Sequence, residues 1–292
     1  MKKIPFKGKK ILITGGSGSL GRHLIKALLP LNPTHIYSLS RDEALIKDAQ
    51  IYLNNPKKVT FQIGDIKDPQ SIKRLVDKVD VIFHLASQKD VSLSQQFPHQ
   101  ALKTNLLGLL NILESANNIK LMINISTDKV IGVVNYYGAT KLLAEGLVKE
   151  ANTYNKGKFI SIRLPNLFAS RGSVIDIWKK QITANNKITL TDPSMTRYFI
   201  TLENAADYIV KTSQQQLNPE SIYFPKKNIK KFKLETLAAV FIKIYGNKTT
   251  KIQILGSRPG EKTHEDYIKG ISLESQKNLT SIILRSKMTA QI

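Results

Sequence analysis

The feature that most constrains the fold is a glycine-rich turn between an apolar run and an amphipathic run. Lys9–Thr14 is predicted as a buried strand, and Leu20–Leu29 has helical spacing that stops near Pro30. Between them lies Thr14-Gly15-Gly16-Ser17-Gly18-Ser19-Leu20-Gly21. A strand, a glycine turn and a helix in this order are typical of dinucleotide-binding folds, because the turn lets N–H groups at the helix N-terminus approach a pyrophosphate. The turn therefore predicts a dinucleotide site.

Strands and helices alternate over the first half of the chain. The further predicted strands are His35–Leu39, Val59–Ile63, Val81–Ala86, Leu121–Ile125 and Phe159–Leu164. The further predicted helices are Asp42–Leu53, Ser71–Val76, Ala101–Ala116 and Tyr137–Tyr154. This alternation predicts an α/β fold with a Rossmann-like, doubly wound parallel sheet. In such a fold the ligand site lies beyond the carboxyl ends of the strands.

The alternation breaks after Pro165, where shorter mixed segments and turn-forming pairs follow. We therefore predict an NADP-binding Rossmann domain over residues 1–165 and a mainly substrate-binding lobe over residues 166–292. Some segments of this smaller C-terminal lobe are expected to return to the Rossmann domain. The stretch from about Ile271 onward carries no motif that we can interpret.

Composition narrows the class of protein. The chain has no cysteine, which excludes disulfides, zinc–thiolate sites and cysteine nucleophiles and fits a cytoplasmic protein. No window approaches the roughly 18 apolar residues of a membrane span, so we expect a soluble protein with no membrane partner. The net charge of +22 raises the alternative of a nucleic-acid partner. The lysines of residues 226–251 lack aromatic–basic interleaving, so we favour no nucleic acid and a lysine-rich enzyme that binds anionic ligands. We predict no metal site.

The end of the second strand bears on the choice of cofactor. Binders of NAD usually carry an acid there, whereas this chain has Ser40 and Arg41, and an arginine accommodates the 2′-phosphate of NADP. Asp42 lies just beyond, and Asp65 after the third strand is placed to meet an adenine edge. We predict NADP as the cofactor. The predicted cofactor-binding residues are Gly15, Ser17, Gly18, Ser19, Leu20, Ser40, Arg41, Asp42, Asp65, Ile66, Ala86, Lys89, Asn105, Tyr137 and Lys141.

Two groups of residues are candidates for catalysis. Tyr137 and Lys141 are four apart and project from one helical face, where an ammonium can lower the pKa of the phenol. The pair suits proton removal from a sugar hydroxyl. Thr127, Asp128 and Lys129 follow the fifth strand at its carboxyl end. Asp128 and Lys129 supply an acid and a base for a second reaction, elimination of water, although an ion pair at a strand end is the plain alternative.

The chain resembles the extended short-chain dehydrogenase/reductase family. Within it, the chain resembles the inverting UDP-N-acetylglucosamine 4,6-dehydratases that begin pseudaminic acid synthesis, over roughly Lys9 to Glu265. The motifs that carry the resemblance are Ile13-Thr14-Gly15-Gly16, Ser40-Arg41-Asp42-Glu43, Gly64-Asp65, Ser126-Thr127-Asp128-Lys129, Tyr137-Gly138-Ala139-Thr140-Lys141, Arg171-Gly172-Ser173-Val174-Ile175, Met195-Thr196-Arg197-Tyr198-Phe199-Ile200-Thr201-Leu202-Glu203 and Arg258-Pro259-Gly260-Glu261-Lys262. Between Lys129 and Tyr137 the chain departs from the Asn-Pro pair that is usual in the family.

The resemblance implies a mechanism and a set of roles. NADP⁺ would take hydride from C4 of the sugar while Tyr137 takes the hydroxyl proton, and the hydride would return to C6. Lys129 is the implied base at C5, which needs a lowered pKa, and Asp128 the implied acid at C6, which needs a raised one. Reprotonation of C5 from the opposite face would invert that centre. The residues implied around the UDP-sugar substrate are Lys89, Asn166, Arg171, Arg197, Arg258 and Glu261. A homo-oligomer that pairs through helices flanking the sheet is also implied.

Three alternatives stay open. A nucleotide-sugar epimerase or reductase would use Tyr137 and Lys141 without an elimination step. A non-catalytic dinucleotide-binding protein would have no reason to hold these two residues together with Asp128 and Lys129. A nucleic-acid binder is suggested only by the net charge.

Overall fold

The computed structural model describes residues 6–267 and 270–289; residues 1–5, 268–269 and 290–292, which belong to the ends of the predicted domains and to the tail, lie outside that description. The strands are β1 (Lys10–Thr14), β2 (His35–Ser40), β3 (Val59–Ile63), β4 (Val81–His84), β5 (Leu121–Thr127), β6 (Lys158–Leu164), β7 (Asn166–Leu167), β8 (Lys187–Leu190), β9 (Thr196–Ile200), β10 (Lys230–Lys233) and β11 (Lys251–Ile254). The α-helices are α1 (Ser19–Leu28), α2 (Glu43–Tyr52), α3 (Pro69–Val76), α4 (Val91–Gln96), α5 (Pro98–Leu102), α6 (Gly108–Ser115), α7 (Tyr136–Tyr154), α8 (Val174–Asn185), α9 (Leu202–Ser213), α10 (Leu234–Tyr245) and α11 (Gln276–Thr289).

The first six strands form one sheet in the order β3-β2-β1-β4-β5-β6, and every neighbouring pair in it is parallel. The chain order reverses between β1 and β4, which creates a crevice at the carboxyl ends of these strands. The predicted α/β, Rossmann-like fold is confirmed, and the sheet order places the ligand crevice next to the glycine turn.

The continuous apolar run of β1 is explained by helices that cover both faces of the sheet. Ile11 and Ile13 pack in one cluster with apolar side chains of α1 and α9. Leu12 points to the opposite face and packs in a second cluster with residues of α3, α6 and α7. Strands covered on both faces carry little polar alternation, because neither face meets water.

The second lobe has its own apolar core. The strands β10, β9 and β7 form a three-stranded sheet, and β8 pairs with β11. Trp178 on α8, Phe232 on β10 and Phe241 on α10 are fully buried in the cluster between these elements. Helix α9 instead packs against α1 in the Rossmann layer. The boundary at residue 165 stays a prediction, since β7 begins only one residue after it.

The predicted helix over Ala101–Ala116 differs from the observed one. It is divided into α5, a π-helical turn over Lys103–Leu107 and α6. The π-helical turn carries Asn105, whose side chain accepts from the backbone N–H of Gln88 (2.8 Å) and donates to its carbonyl (3.1 Å). Single π-helical turns of this kind often occur at functional sites. In residues 6–267 and 270–289 no helix combines the length and apolarity that crossing a membrane requires.

Candidate active site

The glycine turn is fitted between β2 and β4. The N–H of Gly15 donates to the Leu39 carbonyl (2.8 Å), and its φ of +72° is a conformation that favours glycine. A Cβ at Gly15 would lie 2.9 Å from the backbone nitrogen of Ala86. Helix α1 then starts at Ser19 with Gly18 as its N-cap, no capping side chain and no acid in its first turn. This uncapped helix end fits the diphosphate of a dinucleotide, because its N–H groups remain available.

The residues at the end of β2 leave one cation accessible. Ser40 accepts a hydrogen bond from Ser17 (2.5 Å). Asp42 caps α2 by accepting from the backbone N–H of Leu45 (3.0 Å). Arg41 lies 3.7 Å from Asp65 and is 54% exposed, so its guanidinium can turn toward a ligand. One oxygen of Asp42 therefore caps α2, whereas the Arg41 guanidinium stays exposed.

A loop from the second lobe crosses the glycine turn. We call residues 169–173 the crossing loop. The backbone N–H of Arg171 donates to the Ser19 hydroxyl (3.0 Å), and its carbonyl accepts from the Lys89 ammonium (2.5 Å). The Arg171 guanidinium lies 3.5 Å from the Asp42 carboxylate. The predicted substrate residues Arg171 and Lys89 thus meet predicted cofactor residues in this structure, and their contact with substrate stays a prediction.

The loop after β4 is held by the side chain of Asn105, which is itself bonded to α7. Besides its two bonds to Gln88, Asn105 accepts from the Ser87 hydroxyl (3.0 Å) and donates to the Thr140 hydroxyl (2.9 Å). The side chain of Asn105 therefore shapes the loop that contains Ala86 and Lys89. The two remaining predicted cofactor residues with apolar side chains, Leu20 and Ile66, are buried.

Tyr137 and Lys141 are both buried near the start of α7. Asn135 caps this helix by accepting from the Gly138 N–H (2.7 Å). Burial raises the pKa of Tyr137, and the Lys129 ammonium and the Thr127 hydroxyl oppose that rise. We expected Lys141 to be the cation acting on the phenol, whereas here the cation that acts on it is Lys129.

The Lys141 ammonium makes no hydrogen bond within the described ranges, although the residue is only 3% exposed. Burial lowers its pKa to about 8, against the opposing charge of Glu145. Glu145 is in turn paired with Arg163 through two bonds of 2.9 and 2.7 Å. A buried cation without a hydrogen-bond acceptor is suited to a hydroxyl of the nicotinamide ribose. Together with the uncapped end of α1, it shows that the residues present fit a dinucleotide.

A buried cluster of charged side chains lies at the carboxyl end of β5. We call Asp128, Lys129 and Glu265 the catalytic cluster. The Lys129 ammonium donates to Asp128 Oδ1 (3.1 Å) and Asn166 Oδ1 (3.1 Å) and lies 2.9 Å from Glu265 Oε1. The Thr127 hydroxyl donates to Asp128 Oδ1 (2.9 Å). Three acceptors thus surround the three protons of the ammonium group.

Within this cluster the pKa values of the two carboxyl groups shift in opposite directions. Burial raises the pKa of Asp128 to about 7, and Glu265 adds to the rise while Lys129 opposes it. Burial alone would raise the pKa of Glu265, but Lys129 and Arg197 hold it below its ordinary value. The raised pKa expected for Asp128 is therefore found, and its cause is mainly the dry site.

The lowered pKa expected for Lys129 is wrong for this state of the protein. Burial acts in that direction, but the carboxylates of Asp128 and Glu265 outweigh it and raise the pKa of Lys129 above its ordinary value. In the sequence only Asp128 lies beside this lysine, and the fold brings Glu265 next to it as a second acid. Lys129 thus starts as an ammonium group with its protons already engaged.

The other predicted substrate residues divide into engaged and exposed side chains. Arg197 donates to the carbonyls of Thr196 and Thr263 (both 3.0 Å) and lies 3.4 Å from Glu265 Oε1. Arg258 is exposed, and no side-chain bond of it is found among the described residues. Glu261 has one carboxylate oxygen that is buried without a hydrogen-bond partner in the described part of the chain. Whether these residues hold a diphosphate stays a prediction.

Glu265 is the member of this cluster that was not predicted from the sequence. It follows a segment that runs along β9, where the N–H of Thr196 donates to the Thr263 carbonyl (3.1 Å) and Thr196 pairs with His264. This pairing directs Glu265 toward the end of β5. Glu265 ends the stretch over which the family resemblance was recognised, but no spacing in the sequence links it to Lys129.

Loop residues between Lys129 and Tyr137 are tied to the Arg258–Lys262 segment. Asn135 donates to the Gly260 carbonyl (2.9 Å), and the Lys262 ammonium donates to the Ile131 carbonyl (2.7 Å). These bonds attach the second lobe to the start of α7. The departure from the family's usual Asn-Pro pair is therefore accommodated by contacts of this chain's own residues.

Comparison with known proteins identifies similar chains. The family model described as "Polysaccharide biosynthesis protein" matches residues 11–286. A protein of Methanocaldococcus jannaschii named as an uncharacterized membrane protein is 38% identical over 272 residues, which cover 90% of this chain and 81% of that protein. A UDP-glucose 4-epimerase of Rickettsia bellii is 34% identical over 283 residues, which cover 94% of this chain and 82% of the epimerase.

Solved structures show the same architecture. The X-ray structure of Pen from Bacillus thuringiensis matches with a TM-score of 0.88 and 28% identity, over 97% of this chain and 98% of Pen. DesIV, a dTDP-glucose 4,6-dehydratase from Streptomyces venezuelae solved with NAD and TYD bound, matches with a TM-score of 0.79 over 92% of this chain and 89% of DesIV. At 17% identity the likeness to DesIV shows the fold alone.

Proposed function

The chain belongs to the family of polysaccharide biosynthesis proteins, and from that premise we propose that it is a nucleotide-sugar 4,6-dehydratase acting on UDP-N-acetylglucosamine. At the coarser level it is an enzyme of the extended short-chain dehydrogenase/reductase class that modifies nucleotide sugars. The observation that carries the finer proposal is the buried catalytic cluster next to Tyr137. Oxidation at one carbon needs only Tyr137 and Lys141, whereas loss of water needs a further acid and base.

The crevice residues support NADP as the cofactor. The N-terminus of α1 offers uncapped N–H groups to the diphosphate, and Arg41 is accessible for a 2′-phosphate. The Lys141 ammonium would hold the nicotinamide ribose. NADP bound there would supply the oxidation of C4 and the later reduction at C6, so that no cofactor is consumed overall.

Tyr137 removes the proton from the C4 hydroxyl. Its pKa is raised by burial, so the phenolate needs cationic support, which Lys129 supplies in the present arrangement. Lys141 adds support once the cofactor ribose is in place. Thr127 orients the phenol and the Asp128 carboxyl through its hydroxyl.

The catalytic cluster then eliminates water. The ketone at C4 acidifies the C5 proton, which Lys129 takes, and Asp128 donates its proton to the departing C6 hydroxyl. Asp128 is suited to the acid role because its pKa of about 7 lets it carry a proton near neutral pH. The reduction at C6 that bound cofactor would supply, together with a solvent-derived proton added to C5 from the opposite face, inverts that centre and gives a UDP-2-acetamido-2,6-dideoxy-hexos-4-ulose.

The UDP group is held by residues of the second lobe. Arg258 presents an exposed guanidinium, and Glu261 has an unpaired buried oxygen as judged from the described residues. Arginine suits a diphosphate because its planar fork bonds two oxygens at once. Asn166 and Arg197 connect this region to Glu265, and Lys89 and Arg171 lie toward the cofactor.

A second candidate function is a nucleotide-sugar 4-epimerase. It is favoured by the 34% identity to relatives named UDP-glucose 4-epimerase. An epimerase would use Tyr137 and Lys141, with Lys129 as cationic support for the phenol, and would need no separate acid and base for loss of water. The cluster is the reason that we rank the dehydratase first.

We also propose a homo-oligomer in the cytoplasm. Seven apolar side chains are 44–55% exposed: six on α4, α5, the π-helical turn and α7, and one between α4 and α5, and these helices pack together. They are Leu93, Phe97, Leu102, Leu107, Tyr136, Leu142 and Leu143. Large exposed apolar side chains on helices that pack together indicate an interaction site, and a second copy of the chain is our proposed partner.

Proton NMR in D₂O tests the proposed function. Purified protein with UDP-N-acetylglucosamine is expected to yield a new C6 methyl signal with deuterium at C5 and no need for added NADPH. Couplings at C5 then report whether that centre inverts. A change at C4 alone would establish the epimerase, and no turnover of this sugar or of UDP-glucose would contradict both functions.

A further inference from the structure

Glu265 occupies the centre of a hydrogen-bond network that joins four segments of the chain. Its Oε1 atom lies 2.9 Å from the Lys129 ammonium and 3.4 Å from the Arg197 guanidinium. Its Oε2 atom accepts from Asn166 (2.8 Å). The side chain is only 8% exposed. A carboxylate buried this deeply needs compensating charges and hydrogen bonds, which Lys129, Arg197 and Asn166 provide.

The position of one proton follows from the hydrogen bonds of Asp128. Its Oδ1 atom accepts from Thr127 and Lys129. Its Oδ2 atom is buried and has no donor among the described residues. The Lys129 ammonium contacts both carboxyl groups, at 3.1 Å from Asp128 Oδ1 and 2.9 Å from Glu265 Oε1, and the Glu265 carboxylate raises the pKa of Asp128. A proton on Oδ2 of Asp128, donated toward Glu265, satisfies both groups, because two buried carboxylates so close together repel when both are ionised.

We propose that Glu265 is a positioning residue of the dehydration, which keeps a proton on Asp128 and accepts the proton that Lys129 must release before it acts at C5. This inference rests on the proposed function. It resolves the difficulty that Lys129 enters the cycle fully protonated, because the acceptor for its proton is already in contact with it.

The proton transfers balance. When the sugar excludes water, an N–H bond of Lys129 breaks and an O–H bond forms on Glu265, which converts an ion pair into two neutral groups. The freed lone pair of Lys129 then takes the C5 proton. The electrons of the C5–H bond become the C5=C6 double bond as the C6–O bond breaks, and the proton of Asp128 leaves with the hydroxyl as water. The two carboxyl groups hold one proton before this sequence and one after it.

The charged and titratable groups around Asp128 come from several elements. Lys129 follows it in the chain, Tyr137 faces it from α7, and Glu265 and Tyr267 face it from the segment after β11. Of these groups, Glu265 carries the carboxylate. Its replacement by glutamine removes the negative charge and keeps the size and shape of the side chain. Asp266→Asn is a matched control, because Asp266 is the next residue and is 76% exposed.

The first test separates the two half-reactions in the cofactor-loaded enzyme. Glu265→Gln is expected to slow water loss and deuterium entry at C5 by about 100-fold or more in kcat. The KM for the UDP-sugar is expected to change little, and the absorbance of the reduced cofactor is expected to accumulate, because C4 oxidation does not need Glu265. Glu265→Asp should recover part of the rate. A purely structural role would instead reduce C4 oxidation and water loss together, and that result would overturn the proposal.

The second test does not depend on turnover. With ¹³C-labelled aspartate, the Asp128 signal is identified by its loss in Asp128→Asn and is titrated with cofactor bound and no sugar. Glu265→Gln is expected to lower the titration midpoint by about one unit or more, whereas Asp266→Asn leaves it in place. If Glu265→Gln has the same Asp128 midpoint as the wild type, and the wild type removes water from the UDP-sugar, the role of Glu265 is refuted. Wild-type protein that never removes water from a UDP-sugar would refute the proposed function itself.

Discussion

The Nζ atom of Lys129 lies 2.9 Å from the Oε1 atom of Glu265, and this contact determines the starting protonation state of the candidate active site. A lysine with one acidic neighbour in a dry site can lose its proton readily. A lysine between two carboxylates keeps it, because the paired charges compensate for burial. The acid and base of the proposed elimination therefore depend on three residues, two of which were predicted from the sequence.

Asp128→Asn is expected to stop water loss while leaving C4 oxidation possible. The amide keeps the shape of the side chain but has no acidic proton for the C6 hydroxyl. We expect a fall of about 10²- to 10⁴-fold in formation of the C6 methyl signal, with reduced cofactor still formed on mixing. Tyr137→Phe is the comparison variant and should abolish both steps. Full dehydration by Asp128→Asn would exclude Asp128 as the acid.

Water loss is expected to decline as pH rises through neutrality. The acid form of Asp128 is required, and burial places its pKa at about 7. The protonated fraction is therefore nearly complete at lower pH and falls about tenfold for each pH unit above the pKa. Single-turnover rates of C5 deuterium entry over a pH series would measure this limb. A rate that increases through the same range would contradict the assignment.

Arg41→Ala is expected to weaken NADP binding and to leave NAD binding nearly unchanged. A guanidinium that bonds a phosphate contributes about 1.5–3 kcal/mol, which corresponds to a loss of roughly tenfold to a hundredfold in affinity. Fluorescence titration with both dinucleotides gives the ratio. Lys67→Ala is the control, because Lys67 pairs with the same Asp65 carboxylate (3.4 Å) but is not a predicted cofactor residue. Equal losses for both dinucleotides would argue against a 2′-phosphate site.

Leu143→Glu is expected to reduce self-association. Leu143 is 55% exposed on α7, within the apolar surface formed by α4, α5 and α7. Burial of such a side chain between two copies contributes about 1.5–3 kcal/mol, and a charge there adds a desolvation cost. Analytical ultracentrifugation would follow the change. Ile51→Glu on α2 is the matched control, since Ile51 is 72% exposed outside that surface. If both variants sediment as the wild type does, this surface is not the interface.

The fold was predictable because its signals are local. The strands β1 to β6 were each recognised from short apolar runs, and the glycine turn fixed the order of strand, turn and helix. The π-helical turn at Asn105 was not predictable in the same way. Its residues have ordinary helical spacing. The wider turn goes with the bonds that Asn105 makes to the backbone of Gln88, which lies on a different segment.

The candidate site was predictable only where its residues share an element. Tyr137 and Lys141 lie on one helix, and Asp128 and Lys129 follow one strand. Glu265 reaches them through pairing of its segment with β9, which depends on packing of the whole second lobe. The protonation states depended on that same contact, so they could not be assigned before Glu265 was seen.

The crossing loop bears on how long the coenzyme stays. Arg171 is bonded to Ser19 at the start of α1 and to Lys89 after β4, so we expect a dinucleotide bound at the glycine turn to leave only after these bonds break. The proposed reaction would restore the dinucleotide to its starting oxidation state, so that its departure would serve no step of the cycle. We therefore expect sugar and coenzyme to dissociate from this protein at very different rates. Sugars exchange at every turnover, while the coenzyme behaves as a long-term resident, closer to a prosthetic group than to a second substrate.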